Sequence, residues 1–191
     1  MEDEQVTLRD GSAVLIRPVQ PEDKELFVAG WEHFGEESRY RRFMGAKGSL
    51  TPGELAYLTE VDHVNHEALG ARDAATGEGV GVARYVRLPA TPDVAEAAVA
   101  VVDEWQGRGL GGELLGRVTV RARANGIKRF HASLFAINHA MLALFEDLGE
   151  VEVRNVGEGR IEIDVDLPCE PDSILGAALR AAARGLVRLR P

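Results

Sequence analysis

Six consecutive residues, Gln106-Gly107-Arg108-Gly109-Leu110-Gly111, have the composition of a backbone anion cradle. The apolar stretch Val94 to Val102 precedes them and a run of helical periodicity follows, so the glycines fall where a strand turns into a helix. At such a junction the first N–H groups of the helix lack carbonyl partners, and the macrodipole favours negative charge. Glycines leave those amides uncovered for a pyrophosphate, and Arg108 adds a cation. Two other phosphate loops do not fit: no Lys-Ser or Lys-Thr follows as in a P-loop, and the spacing is not G-x-G-x-x-G. An ordinary nucleoside triphosphate site is therefore not expected.

Acid–base candidates lie close by in the sequence. Glu96 is the only acid within the apolar run from Val94 to Val102. A carboxylate withdrawn from water holds a proton more readily, which suits a general base, and Glu96 is the first candidate. Glu67, on another strand, is its rival. With Asp62, His63 and His66 it also forms a set whose spacing could converge on a metal. At a loop-to-strand junction such a cluster is better read as capping the strand or lining a cleft, and no metal is expected. His131 alternates with Phe130 on an apolar strand and reads as a satisfied core histidine rather than a base.

These groups need elements to hold them. The stretch VTLRDGSAVLIRPV predicts two short strands around Asp10-Gly11, with Val14 and Ile16 on one face. Pro21-Glu22-Asp23 starts a helix that turns Leu26, Phe27 and Trp31 inward. A second helical segment runs from about Glu36 to Phe43, and Thr51-Pro52-Gly53-Glu54 opens a third with a capping box. HEALGAR, VGVARYVRL and VAEAAVAVV then read as three strands of an antiparallel meander. Leu110, Leu114, Leu115, Val118 and Ala122 mark one face of a helix that Asn125-Gly126 ends. A strand at Phe130 to Phe135, a helix at Ala140 to Leu148, and a strand pair around Gly157-Glu158-Gly159 complete an α/β chain. The expected fold is α+β in character: a central mixed, mostly antiparallel sheet flanked by helices.

The 191 residues suit one domain over 1–167, followed by a basic C-terminal helical extension over 168–191 that carries Arg180, Arg184, Arg188 and Arg190. A net charge of -9 gives no general attraction to nucleic acid or anionic membranes and favours a basic acceptor. The single cysteine, Cys169, excludes an internal disulfide and a multi-cysteine metal site. The acidic, polar start is no secretory signal, and no apolar run is long enough to span a bilayer, so a cytoplasmic protein is expected.

The strand, loop and helix together resemble the GNAT family of N-acetyltransferases, whose signature is Q/R-x-x-G-x-G/A after an apolar strand. Gln106, Gly109 and Gly111 fill its three positions. Asn138, at the head of a helix ending in Leu148-Gly149, matches a further stretch of the family that flanks the pantetheine arm. The resemblance covers roughly residues 6 to 167. The phrases LRDGSAVLIRPVQPED, ESRYRRFMG and AEAAVAVVDEWQGRGLG look like the catalytic domain of bacterial protein lysine acetyltransferases of the Pat type. In some of those a cyclic-nucleotide-binding domain precedes the catalytic part; this sequence opens shortly before the matching stretch, so no such regulation is expected.

The resemblance implies the GNAT acyl-CoA N-acyltransferase fold, acetyl-CoA as cosubstrate and no metal. It implies that the backbone amides of Arg108, Gly109, Leu110 and Gly111 hold the pyrophosphate, with Gln106 and Gly107 also among the coenzyme-binding residues. Val101, Val102 and Asp103 would bind the pantetheine amides as an added strand would, with Asn138 beside the arm. Glu96 aligns with the strand glutamate that serves as general base in Pat-type enzymes. The tyrosine that protonates the leaving thiolate in many members is replaced by Phe145, which has no proton to give. The implied reaction moves an acetyl group to a primary amine, foremost a protein lysine. The alternatives are a small-molecule amine or a catalytically silent CoA-binding module. Arg39, Tyr40, Arg42 and Phe43 are candidates for the acceptor cleft, and the C-terminal segment and final strand pair offer surfaces for a homodimer.

Overall fold

The computed structural model describes residues 3–168 except 44 and 46, with the side chains of 41–43 also outside the description. The basic C-terminal extension expected over 168–191 lies, but for Pro168, outside the described residues, as do the side chains of Arg42 and Phe43.

Residues 4–18 form the hairpin the sequence predicts, β1 (Glu4–Thr7) and β2 (Ala13–Pro18). Val14 and Ile16 face the core at 0% and 3% exposure, so the period-2 pattern sets the inward face. Pro21–Asp23 form a 3-10 turn that leads into α1 (Lys24–Glu32), and α2 (Glu36–Phe43) follows. Thr51 caps α3 (Pro52–Thr59): its hydroxyl accepts from Glu54 N–H, and the Glu54 carboxylate accepts from Thr51 N–H, the reciprocal pair of a capping box.

The meander comes next: β3 (His66–Asp73), β4 (Gly79–Leu88) and β5 (Thr91–Val101), each antiparallel to its neighbour. A 3-10 turn at Asp103–Trp105 and the glycine loop lead into α4 (Leu110–Ala124). Then follow β6 (Arg129–Phe135), α5 (His139–Glu146), β7 (Val151–Gly157) and β8 (Arg160–Asp166). Among the described residues one eight-stranded sheet results, in the order β1-β2-β3-β4-β5-β6-β8-β7. Its only parallel pair is β5 with β6.

Helix α4 packs on one face of β3–β5. Leu110, Leu114, Leu115, Val118 and Ala122 are all at most 1% exposed, and each larger side chain contributes about 2 kcal/mol of burial. Gly81 lets the helix come close: a Cβ there would stand 3.1 Å from Leu114 Cδ1 and 3.2 Å from Leu110 Cδ2. Helices α1 and α3 cover the opposite face, where Val82, Arg84 and Ala100 meet Phe27, Trp31 and Leu58 around a small pocket. The sheet thus has a helix-packed structural face and a second face that holds open space.

Candidate active site

The joint between β5 and β6 is short. Val94 pairs with Arg129, Ala95 with Phe130 and Glu96 with His131, and there the pairing stops, although both strands continue. From Ala97 and Ala132 onward the strands part, leaving a splay between them. Val102 N–H donates to Val80 O at 3.1 Å. Antiparallel strands exchange hydrogen bonds at alternate residues, so the amides of Ala98 and Ala100 also face β4. Those of Ala97, Val99 and Val101 therefore face the gap. The expected pantetheine contacts divide accordingly: Val101 presents backbone to the opening, whereas Val102 spends its N–H on β4 and buries its side chain.

At the end of β5 lies the glycine loop. Gly107 and Gly109 have φ of 75° and 96°, the left-handed region that a side chain disfavours. Gly109 is the N-cap residue of α4, and Glu113 N–H is the first to find a helical partner, Gly109 O. The amides of Leu110, Gly111 and Gly112 therefore project from the helix start, as an anion site requires. Gly111 has an additional reason to be glycine, because a Cβ there would lie 3.1 Å from Leu144 Cδ1 of α5. Arg108 stacks over the Trp105 ring at 4.8 Å and pairs with Asp10 at 3.3 Å.

A second cation was not anticipated from the sequence. Arg9, in the turn of the β1–β2 hairpin, accompanies the loop: its backbone N–H donates to Arg108 O, and its side chain lies against Gly109. No local signal could reveal it, since the contact joins residues a hundred positions apart. Gln106, the first signature residue, works as a bracket. Its Nε2 donates to Val101 O, Asp103 Oδ1 and Ser38 Oγ at 3.0, 3.2 and 3.2 Å. Asp103 in turn accepts from Gly35 N–H at 3.2 Å, so the loop is tied to the start of α2. Asn138 caps α5, its side chain accepting from Met141 N–H.

Glu96 and Glu67 end on opposite faces of the sheet. Glu67 shares a row with Tyr85, on the α4 side, and is 1% exposed. Its carboxylate accepts from Ala68 N–H, meets His63 Nδ1 at 2.7 Å and pairs with Arg121 of α4 at 3.0 Å. The rival base is thus a structural anion beneath a helix. Asp62 accepts from the N–H groups of Val64, Asn65 and His66, and those bonds outweigh burial and hold its carboxyl well below the usual range. His66 packs beside buried Arg84, 3.2 Å away, and burial followed by that charge pushes its pKa down to about 4. Each member of the cluster has a protein partner, and no metal-holding group occurs among the described residues.

Two expectations need correction. Glu96 does not sit inside the apolar sheet: it is exposed on the open face, because the alternation that buries Ala95 and Ala97 turns it outward. His131 is not a core histidine. It lies in the same row and on the same face as Glu96, is 22% exposed, and its Nδ1 meets Asp164 Oδ1 at 3.1 Å. Phe145, where many relatives carry tyrosine, is 1% exposed and part of the core.

A mixed sheet parted beside a glycine-capped helix defines an acyltransferase of the GNAT type, and residues 30–149 match the acetyltransferase (GNAT) family. The chain belongs to that family. It is 36% identical over 188 residues to the acetyltransferase Pat of Mycolicibacterium smegmatis, covering 96% of this chain and 56% of that protein. The chain therefore spans about half the length of that relative. An acetyltransferase of Pseudomonas aeruginosa is 32% identical over 78% of this chain and 81% of its own. The crystal structure of the GNAT domain of S. lividans PAT superposes with a TM-score of 0.79 at 34% identity, covering 86% of this chain and 97% of the other. No helix among the described residues is long and apolar enough to cross a membrane.

Proposed function

We propose that this chain transfers the acetyl group of acetyl-CoA to a primary amine, foremost the side-chain amine of a protein lysine, with Glu96 as general base. The observation that carries the reading is the parting of β5 from β6 directly after Glu96, with the projecting amides of the glycine loop at the far end of the same strand. A pyrophosphate at Leu110–Gly112 and a pantetheine arm along Ala97, Val99 and Val101 bring a thioester to the open face beside a carboxylate. The gap-facing N–H of Val99 would hold the oxyanion as it develops. Glu96 makes no side-chain hydrogen bond or ion pair with the described residues, leaving both oxygens for an incoming ammonium. A lysine amine is mostly charged at neutral pH and needs such a base.

The acceptor reading rests on the Pat relatives and on charge. Glu96, Glu152, Glu162, Asp164 and Asp166 share one face of neighbouring strands with Arg129 and Arg154, leaving a net negative face that favours a cationic segment. Release of coenzyme thiol in the presence of a lysine-containing protein tests the proposal. Glu96→Gln is expected to lower kcat/KM by about a hundredfold or more while acetyl-CoA still binds. Acetylation of free amines alone would refute the protein acceptor, and full activity of Glu96→Gln would refute the base.

A further inference from the structure

The reaction leaves a proton on the amine and a negative charge on the coenzyme sulphur, and Phe145 cannot connect them. On the open face, the residue paired with Glu96 across the joint is His131. Its Nδ1 lies 3.1 Å from Asp164 Oδ1, and Arg154 of β7 holds the other oxygen of that carboxylate at 3.4 Å. A histidine whose Nδ1–H is engaged by a carboxylate has a fixed ring and presents Nε2 as its working nitrogen. The charged groups on this face of the neighbouring strands are Glu96 from β5, Arg129 from β6, Asp164, Glu162 and Asp166 from β8, and Glu152 and Arg154 from β7. Beyond His131 the strands separate, so the imidazole stands at the edge of the opening the thioester would occupy.

We propose that His131, oriented by Asp164, carries the amine proton from Glu96 to the coenzyme sulphur. The inference rests on the reading of Glu96 as base. The ammonium first loses one proton to water through Glu96. As the neutral amine nitrogen then attacks the thioester carbon, a C–N bond forms and one proton of the resulting cationic nitrogen passes to the Glu96 carboxylate. His131 Nε2 takes that proton and becomes imidazolium, stabilised by Asp164. When the tetrahedral intermediate collapses, the C–S bond breaks with its electron pair on sulphur, and the Nε2 proton moves to the thiolate. Amide and thiol leave, Glu96 is again a carboxylate, and His131 is neutral. No external acid is consumed.

Chemical rescue separates this role from a structural one. With acetyl-CoA and a lysine-containing peptide as probes, His131→Ala is expected to lose about a hundredfold in kcat with the KM for acetyl-CoA unchanged. Added imidazole is expected to restore about tenfold of that loss. Asp164→Asn should lower kcat by about tenfold, because the ring loses its orienting charge. Wild-type kcat in His131→Ala overturns the proposal, as does a loss that imidazole leaves unchanged. If the alanine variant does not fold, His131→Gln is used instead: a similar drop in kcat at unchanged Tm supports the relay, and wild-type kcat overturns it. Full rate in His131→Ala with loss in Glu96→Gln removes the relay and leaves the base. Full rate in Glu96→Gln removes the base on which the relay stands.

Discussion

Tyr40 of α2 stacks on Phe135, the last residue of β6, with ring centroids 5.2 Å apart and planes 13° from parallel. The same helix is bound through Ser38 to Gln106, at the end of β5. Helix α2 thus spans from one strand of the opening to the other. Stacked aromatic pairs contribute about 1 kcal/mol beyond their burial. Tyr40→Ala is therefore expected to release α2, read as faster hydrogen exchange of its amides. The KM for the acceptor should rise more than that for acetyl-CoA. Unchanged exchange in α2 would show that the stack holds nothing in place.

Glu67 separates stability from catalysis. Glu67→Ala removes a buried carboxylate that accepts from Ala68 N–H, meets His63 and pairs with Arg121, and should lower stability by about 1–3 kcal/mol in denaturant titration. The fraction that remains folded should retain its kcat. A variant of normal stability and no activity would return Glu67 to the role of base.

The glycine loop tests the coenzyme site. At Gly109, with φ of 96°, an alanine bears a left-handed penalty of about 1–2 kcal/mol, and its Cβ meets Arg9 Nε at 3.3 Å. Gly109→Ala should raise the KM for acetyl-CoA by about tenfold and leave kcat within a factor of about two. Arg9→Ala should weaken coenzyme binding in a salt-dependent way. Loss of kcat without change in KM would mean that the loop acts in chemistry rather than in binding.

His66 predicts a pH window. The folded protein holds this imidazole down to about 4, against an ordinary 6.5. The unfolded chain therefore takes up a proton that the folded one resists. This contribution is neutral above about pH 6.5 and destabilises the fold progressively as pH falls from 6.5 towards 4. Tm measured across that range should fall less in His66→Gln than in the parent. Parallel curves would assign the acid sensitivity to other groups.

Where local patterns govern, the sequence was easily read. The capping box at Thr51, the glycine-led start of α4 and the apolar face from Leu110 to Ala122 are all set within a few residues, and all appear as expected. What depends on which face of the sheet a strand presents was harder. Glu96 was expected among apolar neighbours, yet alternation along β5 gives Ala95 and Ala97 to α4 and sets Glu96 in the open. The same parity places His131 beside it, a relation fixed by the register of two strands separated by α4. Arg9 at Gly109 and Asp103 at Gly35 join distant segments and leave no local trace.

Three residue pairs, Val94 with Arg129, Ala95 with Phe130 and Glu96 with His131, are all that join the five strands β1–β5 to the three strands β6, β8 and β7 within the sheet. Within the sheet, the chain is two plates of strands joined along a short seam. A coenzyme lying along the free edge of β5 would act as a rivet between them, so its arrival should stiffen their relative motion and raise the temperature at which they come apart together. Glu96 and His131 sit on the seam itself. The proton chemistry proposed for them would thus sit where backbone pairing joins the two groups of strands.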